Sequence, residues 1–241
     1  MQSGRLRIGT AGWSVPRAVA DAFPADGSVL QRYAARLSAV EVNSSFYRPH
    51  RRQTYERWRD ATPDGFRFAV KAPRAITHEA RLVDCAERLA AFLLQVGGLG
   101  DKLGPLLVQL PPKLAFDAVV ATRFFDDLRT QWSGSVACEP RHASWFEGAA
   151  DDLLIAHRIA RVAADPAPHP LASSPGGWTG LAYWRLHGSP RMYVSDYDAA
   201  ALAALAGSLA SSEAQECWCI FDNTMYGAAA VNALSLQALP A

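Results

Sequence analysis

The chain has 241 residues, half of them hydrophobic and one fifth charged, with a formal net charge of +1. Length and composition suit one globular domain with a sizeable core, and the near-zero charge excludes a global field that would recruit nucleic acid or anionic membrane. No run is long and apolar enough to span a bilayer, and residues 1–7 carry no signal-peptide core.

In chain order, strand-like apolar runs occur at 6–10, 39–43, 66–71, 105–110, 136–139, 161–165, 182–187 and 217–222. Helical patterns lie between and after them, at 29–37, 53–60, 84–96, 117–129, 151–159, 199–209 and 226–239. The third helix opens on Asp84 and Glu87, spaced as a capping box. It carries Ala86, Leu89, Ala90, Leu93 and Leu94 as its apolar stripe, and Gly97-Gly98 closes it. Val120, Phe124 and Leu128 give the fourth helix one buried face. The segment 166–179 holds Pro166, Pro168, Pro170, Pro175, Gly176 and Gly177, so the sixth helix is expected to be reduced or replaced by a loop. Strictly alternating strands and helices imply parallel strands with right-handed crossovers. Eight strands in a chain of nearly the ~250 residues typical of the fold predict a single (β/α)8 TIM-type barrel domain over residues 1–241. Gly9-Thr10-Ala11-Gly12-Trp13 is not a dinucleotide fingerprint, which argues against an open doubly wound sheet.

Polar residues stand at the strand ends, where barrels of this type keep their chemistry. They are Glu41 and Asn43, Lys71, Gln109, Glu139 and Arg141, Asp165, Arg185 and His187, then Asp222 and Asn223. Side chains two apart share a strand face, so the mouth is expected to gather Glu41, Glu139 and Asp165 against Lys71, Arg141 and Arg185. The bland alternative is a self-satisfied ion-pair network plugging the barrel top. On the functional reading Glu41 and Glu139 are the acid/base pair, and their separation would decide between retaining and inverting glycosidase-type geometry. A Schiff-base role for Lys71 is disfavoured, because nearby carboxylates should hold its pKa up. His78 and His187 are further base or ligand candidates. With Glu41, Glu139 and Asp165 they make an N/O set of a kind divalent metals accept, although no short-spaced metal signature is present. Residues 48–52, with three arginines, suit a phosphate or carboxylate, or else form a solvated basic loop paired with Glu56 or Asp60. Trp13, Tyr47 and Trp145 are candidates to stack on a sugar or base, with anchoring of core or loop as the alternative for each. The four cysteines include no C-x-x-C pair and read as small hydrophobes of a reduced, cytoplasmic protein.

Seven motifs resemble the YecE-like family, also called domain of unknown function 72. They are Ile8-Gly9-Thr10-Ala11-Gly12-Trp13-Ser14, Val40-Glu41-Val42-Asn43-Ser44-Ser45-Phe46-Tyr47, Phe68-Ala69-Val70-Lys71 with Thr77-His78, and Gln109-Leu110-Pro111-Pro112. Glu139-Pro140-Arg141-His142-Ala143-Ser144-Trp145, Arg185-Leu186-His187-Gly188 and Phe221-Asp222-Asn223 complete the set. The resemblance implies a β/α barrel and a bacterial cytoplasmic protein, but no established activity. It also implies a likeness in fold to apurinic endonucleases and sugar isomerases. Two positions depart from the family pattern: Asp222 stands where asparagine is more usual, and Pro140 where an aromatic or aliphatic residue is. Three functions follow as expectations. The first is a hydrolase- or lyase-like enzyme for a small anionic or phosphorylated ligand, with Glu41, Glu139, Lys71 and His187 in catalysis. Trp13, Asn43, Tyr47, His78, Gln109, Arg141, Trp145, Asp165, Arg185 and Asn223 would bind that ligand. The others are a non-catalytic nucleic-acid-binding barrel and a divalent-metal-dependent hydrolase.

Overall fold

Short apolar runs joined by helices must pair in parallel, because each crossover helix returns the chain to the same end of the sheet. The computed structural model describes residues 6–239. Its strands are β1 (Leu6–Ala11), β2 (Ala39–Val42), β3 (Arg67–Lys71), β4 (Leu103–Gln109), β5 (Val136–Glu139), β6 (Ala160–Arg161), β7 (Ala163–Asp165), β8 (Gly176–Gly177), β9 (Leu181–Leu186) and β10 (Glu216–Phe221). The helices are α1 (Val29–Ala34), α2 (Ser44–Tyr47), α3 (Arg52–Asp60), α4 (Ala86–Val96), α5 (Ala118–Gln131), α6 (Gly148–Ala156), α7 (Ala199–Ala210) and α8 (Ala228–Gln237).

These segments form one sheet in the order β7-β9-β10-β1-β2-β3-β4-β5-β6-β8, parallel throughout except for β6 with β8. β6 pairs with β5 and β7 pairs with β9, and only Val162 separates the two. Residues 160–165 therefore act as one interrupted strand that joins both ends of the sheet and closes a TIM-type barrel. The Val162 amide keeps the contact across the break by donating to the Cys138 carbonyl at 2.9 Å. Between β7 and β9 run a 3-10 turn, Pro170–Ser173, and the two-residue β8.

Two helix details differ from the pattern in the sequence. Asp84 has φ +48° and the cap position falls to Cys85, which makes no side-chain cap, so the spacing to Glu87 forms no capping box. Asp84 pairs instead with Arg123 at 3.2 Å. The buried stripe of α4 is Leu89, Phe92 and Val96, while Leu94 is 66 % exposed. α4 packs against α5 and α3, and Phe92 buries more apolar area there than an alanine would. α5 itself starts as expected, with Asp117 accepting from the amides of Val119 and Val120, a cap that contributes about 1 kcal/mol.

Alternation along the strands divides the core into two layers. Outward-facing Val40, Phe68, Leu106, Cys138 and Phe221 pack with helix residues such as Leu30, Phe124 and Leu236. Inward-facing Ala39, Ala69, Leu107, Ala137, Val162, Tyr183, Trp218 and Ile220 fill the barrel. Ala39, Ala69, Ala137 and Ala160 leave space inside the barrel, and Tyr183 and Trp218, stacked with centroids 5.9 Å apart, take it. Gly104 admits the Trp218 ring, since a Cβ there would lie 2.6 Å from Cζ2. Gly9 lets β1 approach β2 so closely that its Cβ would fall 2.1 Å from the Ala39 carbonyl oxygen. Gly9→Ala has no flexible neighbour to displace, so it should cost about 2–3 kcal/mol in urea unfolding; an unchanged midpoint would contradict this tight β1–β2 contact.

Candidate active site

The inward face continues one step past the apolar plug, toward the carboxyl ends of the strands. Glu41 follows Ala39, Lys71 follows Ala69, Gln109 follows Leu107, Glu139 follows Ala137, Arg185 follows Tyr183, and Asp222 follows Ile220. Period-two geometry makes the polar layer stand directly on the hydrophobic one. All six side chains belong to buried residues.

Arg185 is the centre of this layer. Its Nε and Nη2 donate to the two Glu41 oxygens at 3.0 and 2.7 Å, Nη2 also reaches Asp222 Oδ2 at 3.1 Å, and Nη1 donates to Glu139 Oε2. A planar fork of this kind matches carboxylates bidentately. Tyr183 donates its hydroxyl to Glu41 Oε2 at 2.8 Å. His187 bridges Asp222 through Nδ1 at 2.9 Å and Glu139 through Nε2 at 3.2 Å. Arg141 donates to Glu139 Oε1 at 3.0 Å, and Gln109 Nε2 lies 3.3 Å from the same oxygen.

Burial alone would raise the Glu139 carboxyl, but Arg185, His187 and Arg141 outweigh it and hold that group well below the usual carboxylate range. Asp222 is likewise held low, burial being overcome by Arg185 and His187. For His187 burial favours the neutral ring, yet the Glu139 charge prevails and its pKa rises. Three carboxylates thus face three cations, Arg185, Arg141 and His187. Glu139 stays ionised and Glu41 has both oxygens filled, a geometry for anchoring Arg185 rather than for exchanging protons.

Lys71 behaves contrary to the expectation that carboxylates would hold its pKa up. Desolvation, with Arg185 nearby, lowers it from 10.5 to about 8 against the pull of Glu139, Glu41 and Asp222. The physical reason is burial: the carboxylates still pull the value up, but none pairs directly with the amine, and their pull does not offset desolvation and the Arg185 charge. Among the described residues Lys71 Nζ has no hydrogen-bond or ion-pair partner, and it sits 4.1 Å from the centroid of the Phe46 ring. Lys102, the other buried lysine, shows what a settled ammonium obtains: it donates to the Arg59 and Thr62 carbonyls at 2.8 and 2.5 Å. His78 lies beside this group, its ring 4.9 Å from Phe46, and burial with the charges of Lys71 and Arg141 lowers its pKa.

Other expected positions fall elsewhere. Asp165 accepts from Tyr197 at 2.6 Å and stands outside the Arg185 network, where Asp222 is the third carboxylate instead. Trp145 is a core residue, 1 % exposed, with its indole N–H given to the Leu114 carbonyl. Trp13 packs edge-on against Trp58, and Tyr47 stands 74 % exposed at the end of α2. Asn223 ties Ser195 and Asn232 together, leaving its Oδ1, like Asn43 Oδ1, buried without a partner. Arg52 is engaged by Glu56 at 3.0 Å, whereas Arg48 and Arg51 are exposed. Among the described residues no group of three His, Cys, Asp or Glu side chains is placed to hold a metal ion, because the carboxylates that would ligate one are turned to arginine. Nor is any helix among them long and apolar enough to cross a membrane. Tyr183 is the participant that the sequence reading missed; its place two residues before Arg185 on one strand was the available signal. Two cavities, of about 440 and 610 Å³, lie away from the mouth, beside Trp145 and between β9 and α7.

A model of the family described as "Protein of unknown function DUF72" matches residues 7–241. The chain belongs to the DUF72 family. UPF0759 protein YecE of Escherichia coli K12 is 31% identical over 142 residues, which is 58% of this chain and 50% of YecE. The chain thus spans about half the length of that curated relative. A DUF72 crystal structure from Enterococcus faecalis superposes with TM-score 0.81 at 24% identity, covering 96% of this chain and 94% of the other. One from Thermotoga maritima gives 0.79 at 25% identity, covering 97% and 98%. The DUF72 fold extends over both of those chains almost in full, so the barrel is family architecture.

Proposed function

We propose that the barrel mouth is the active site of a hydrolase- or lyase-like enzyme that moves a proton on a small anionic or phosphorylated ligand, with Lys71 as the base. The observation that carries this reading is the Lys71 amine, held in the mouth with no hydrogen-bond or ion-pair partner among the described residues, beside carboxylates already paired with other cations. With three carboxylates matched to Arg185, Arg141 and His187, the ammonium of Lys71 is the surplus charge, and an anionic ligand supplies its counter-charge. A base with pKa of about 8 is near the value that serves proton transfer at physiological pH. Arg141, with its side chain 19% exposed, reaches the ligand's anionic group, and the orphan Asn43 Oδ1 accepts from a ligand donor. Glu41, Glu139 and Asp222 hold Arg185 and His187 in place.

The chain's three lysines make the test simple. Trace acetylation across pH, read by peptide mass, should give Lys71 a midpoint near 8, with exposed Lys113 as the control for anion protection. Millimolar inorganic phosphate or sulfate should slow modification of Lys71 and leave Lys113 unaffected. A Lys71 midpoint at the ordinary lysine value of about 10.4, or a Lys71 that neither anion protects, would remove this reading.

A further inference from the structure

We infer that Lys71 attacks the carbonyl carbon of a small anionic carbonyl compound, an α-keto acid or a keto phosphate, and holds it as an iminium. The inference rests on the anion-binding mouth proposed above and adds the chemical class of its ligand. Three features favour covalent capture over proton transfer alone. The amine lies over the face of Phe46, 4.1 Å from the ring centroid, with no hydrogen-bond partner among the described residues. No protein donor among them occupies its lone pair, and the ring face that receives an ammonium receives an iminium cation equally. An ammonium is a compact, strongly hydrated charge that suffers most from desolvation. An iminium spreads its charge over carbon and is less hydrated, so the same pocket accepts it more readily. Glu139, Glu41 and Asp222 still act on charge at Lys71 through space, and they favour a cation there once its solvation cost is reduced. Cationic Arg185 beside the amine keeps a fraction unprotonated, a recognised route to a nucleophilic lysine.

The step balances as follows. The free amine forms a C–N bond as the carbonyl π bond breaks, and the oxygen becomes the carbinolamine hydroxyl after proton transfer from nitrogen. That hydroxyl leaves as water with one proton from the medium, and the nitrogen lone pair closes the C=N bond. The product retains one N–H and a positive charge. The ligand's carboxylate or phosphate lies against Arg141, whose part-exposed guanidinium shares the mouth with Lys71.

The full chain is incubated with pyruvate, glyoxylate or dihydroxyacetone phosphate and cyanoborohydride, which delivers hydride to the iminium carbon and leaves a stable secondary amine. Peptide mass should place the adduct on Lys71, formed on the order of tenfold or more faster than on exposed Lys113 at pH 7. Lys71→Met should abolish it, and inorganic phosphate should slow it. If phosphate protects Lys71 from acetylation but none of the three probes gives an adduct faster than on Lys113, the covalent inference fails and the anion site stands. If phosphate also leaves Lys71 unprotected and no adduct forms, both fail together.

Discussion

Replacing Arg185 with methionine should destabilise the barrel by about 3–5 kcal/mol or more, the cost of leaving buried charge without its partner. Arg185 is fully buried and binds Glu41, Glu139 and Asp222 at once. Its removal strands three carboxylates over an apolar floor, and Tyr183 and Arg141 cannot neutralise them all. Arg185→Lys keeps the charge but loses the fork, so it should fall between the two. The arginine's value lies in its coupling to the acids: Glu41→Gln is expected to cost less in the Arg185→Met background than in the wild type, and a double-mutant cycle in urea measures that difference. Additive losses would show that the guanidinium and the carboxylate are energetically independent. The network also sets a pH window. Glu139 and Asp222 have folded pKa values below their unfolded ones, so their stabilisation is present above the ordinary carboxylate range and is lost as pH falls through the lowered values. His187 is raised, so its stabilisation is present below its ordinary pKa and is lost as pH rises through the folded one. The wild type should therefore be most stable between those limits, with Arg185→Met losing most of the acid limb.

The barrel was legible in the sequence because its evidence is local. Runs of period two, helices between them and a polar residue at each strand end are readable without knowing any contact. So was the gathering of Glu41, Lys71, Glu139 and Arg185, since alternation assigns all four to one face once the barrel closes. Partner choice was not legible. Asp165 and Asp222 both end strands, but Asp165 turns to Tyr197 while Asp222 reaches Arg185 and His187. Asp165 shares the strand face of Ala163, which belongs to the outer layer, whereas Asp222 shares the face of Ile220 inside the barrel. The Lys71 reading failed too. Counting acids near a lysine predicts a raised pKa, whereas here burial, with the Arg185 charge, outweighs those acids. Trp145 looked like a mouth residue because its motif follows Glu139, yet a 3-10 turn carries it into the core.

Lys71→Met should make the protein more stable at neutral pH, by about 2–3 kcal/mol, while removing the chemistry assigned to the mouth. The fall in pKa from 10.5 to about 8 means that folding disfavours the ammonium by roughly 3 kcal/mol, an upper bound because methionine must still repack beside Phe46. Below pH 8 both folded and unfolded chains carry the proton and the full penalty applies. Between about pH 8 and 10.5 the unfolded chain keeps a proton that the folded chain has released, so raising pH favours the wild-type fold over that interval. The advantage of the methionine variant should accordingly be largest at pH 7 and shrink toward pH 10. Lys102→Met should do the opposite, since that ammonium caps the Arg59 and Thr62 carbonyls and its loss leaves them unpaired. Urea unfolding of the three proteins at pH 7 and pH 10 decides the matter. If Lys71→Met were less stable than wild type at both pH values, the lysine would be a structural ion-pair member and not a strained amine kept for reaction. Residues that lower stability where they stand are the ones whose retention calls for a functional cause, and in this barrel that residue is Lys71.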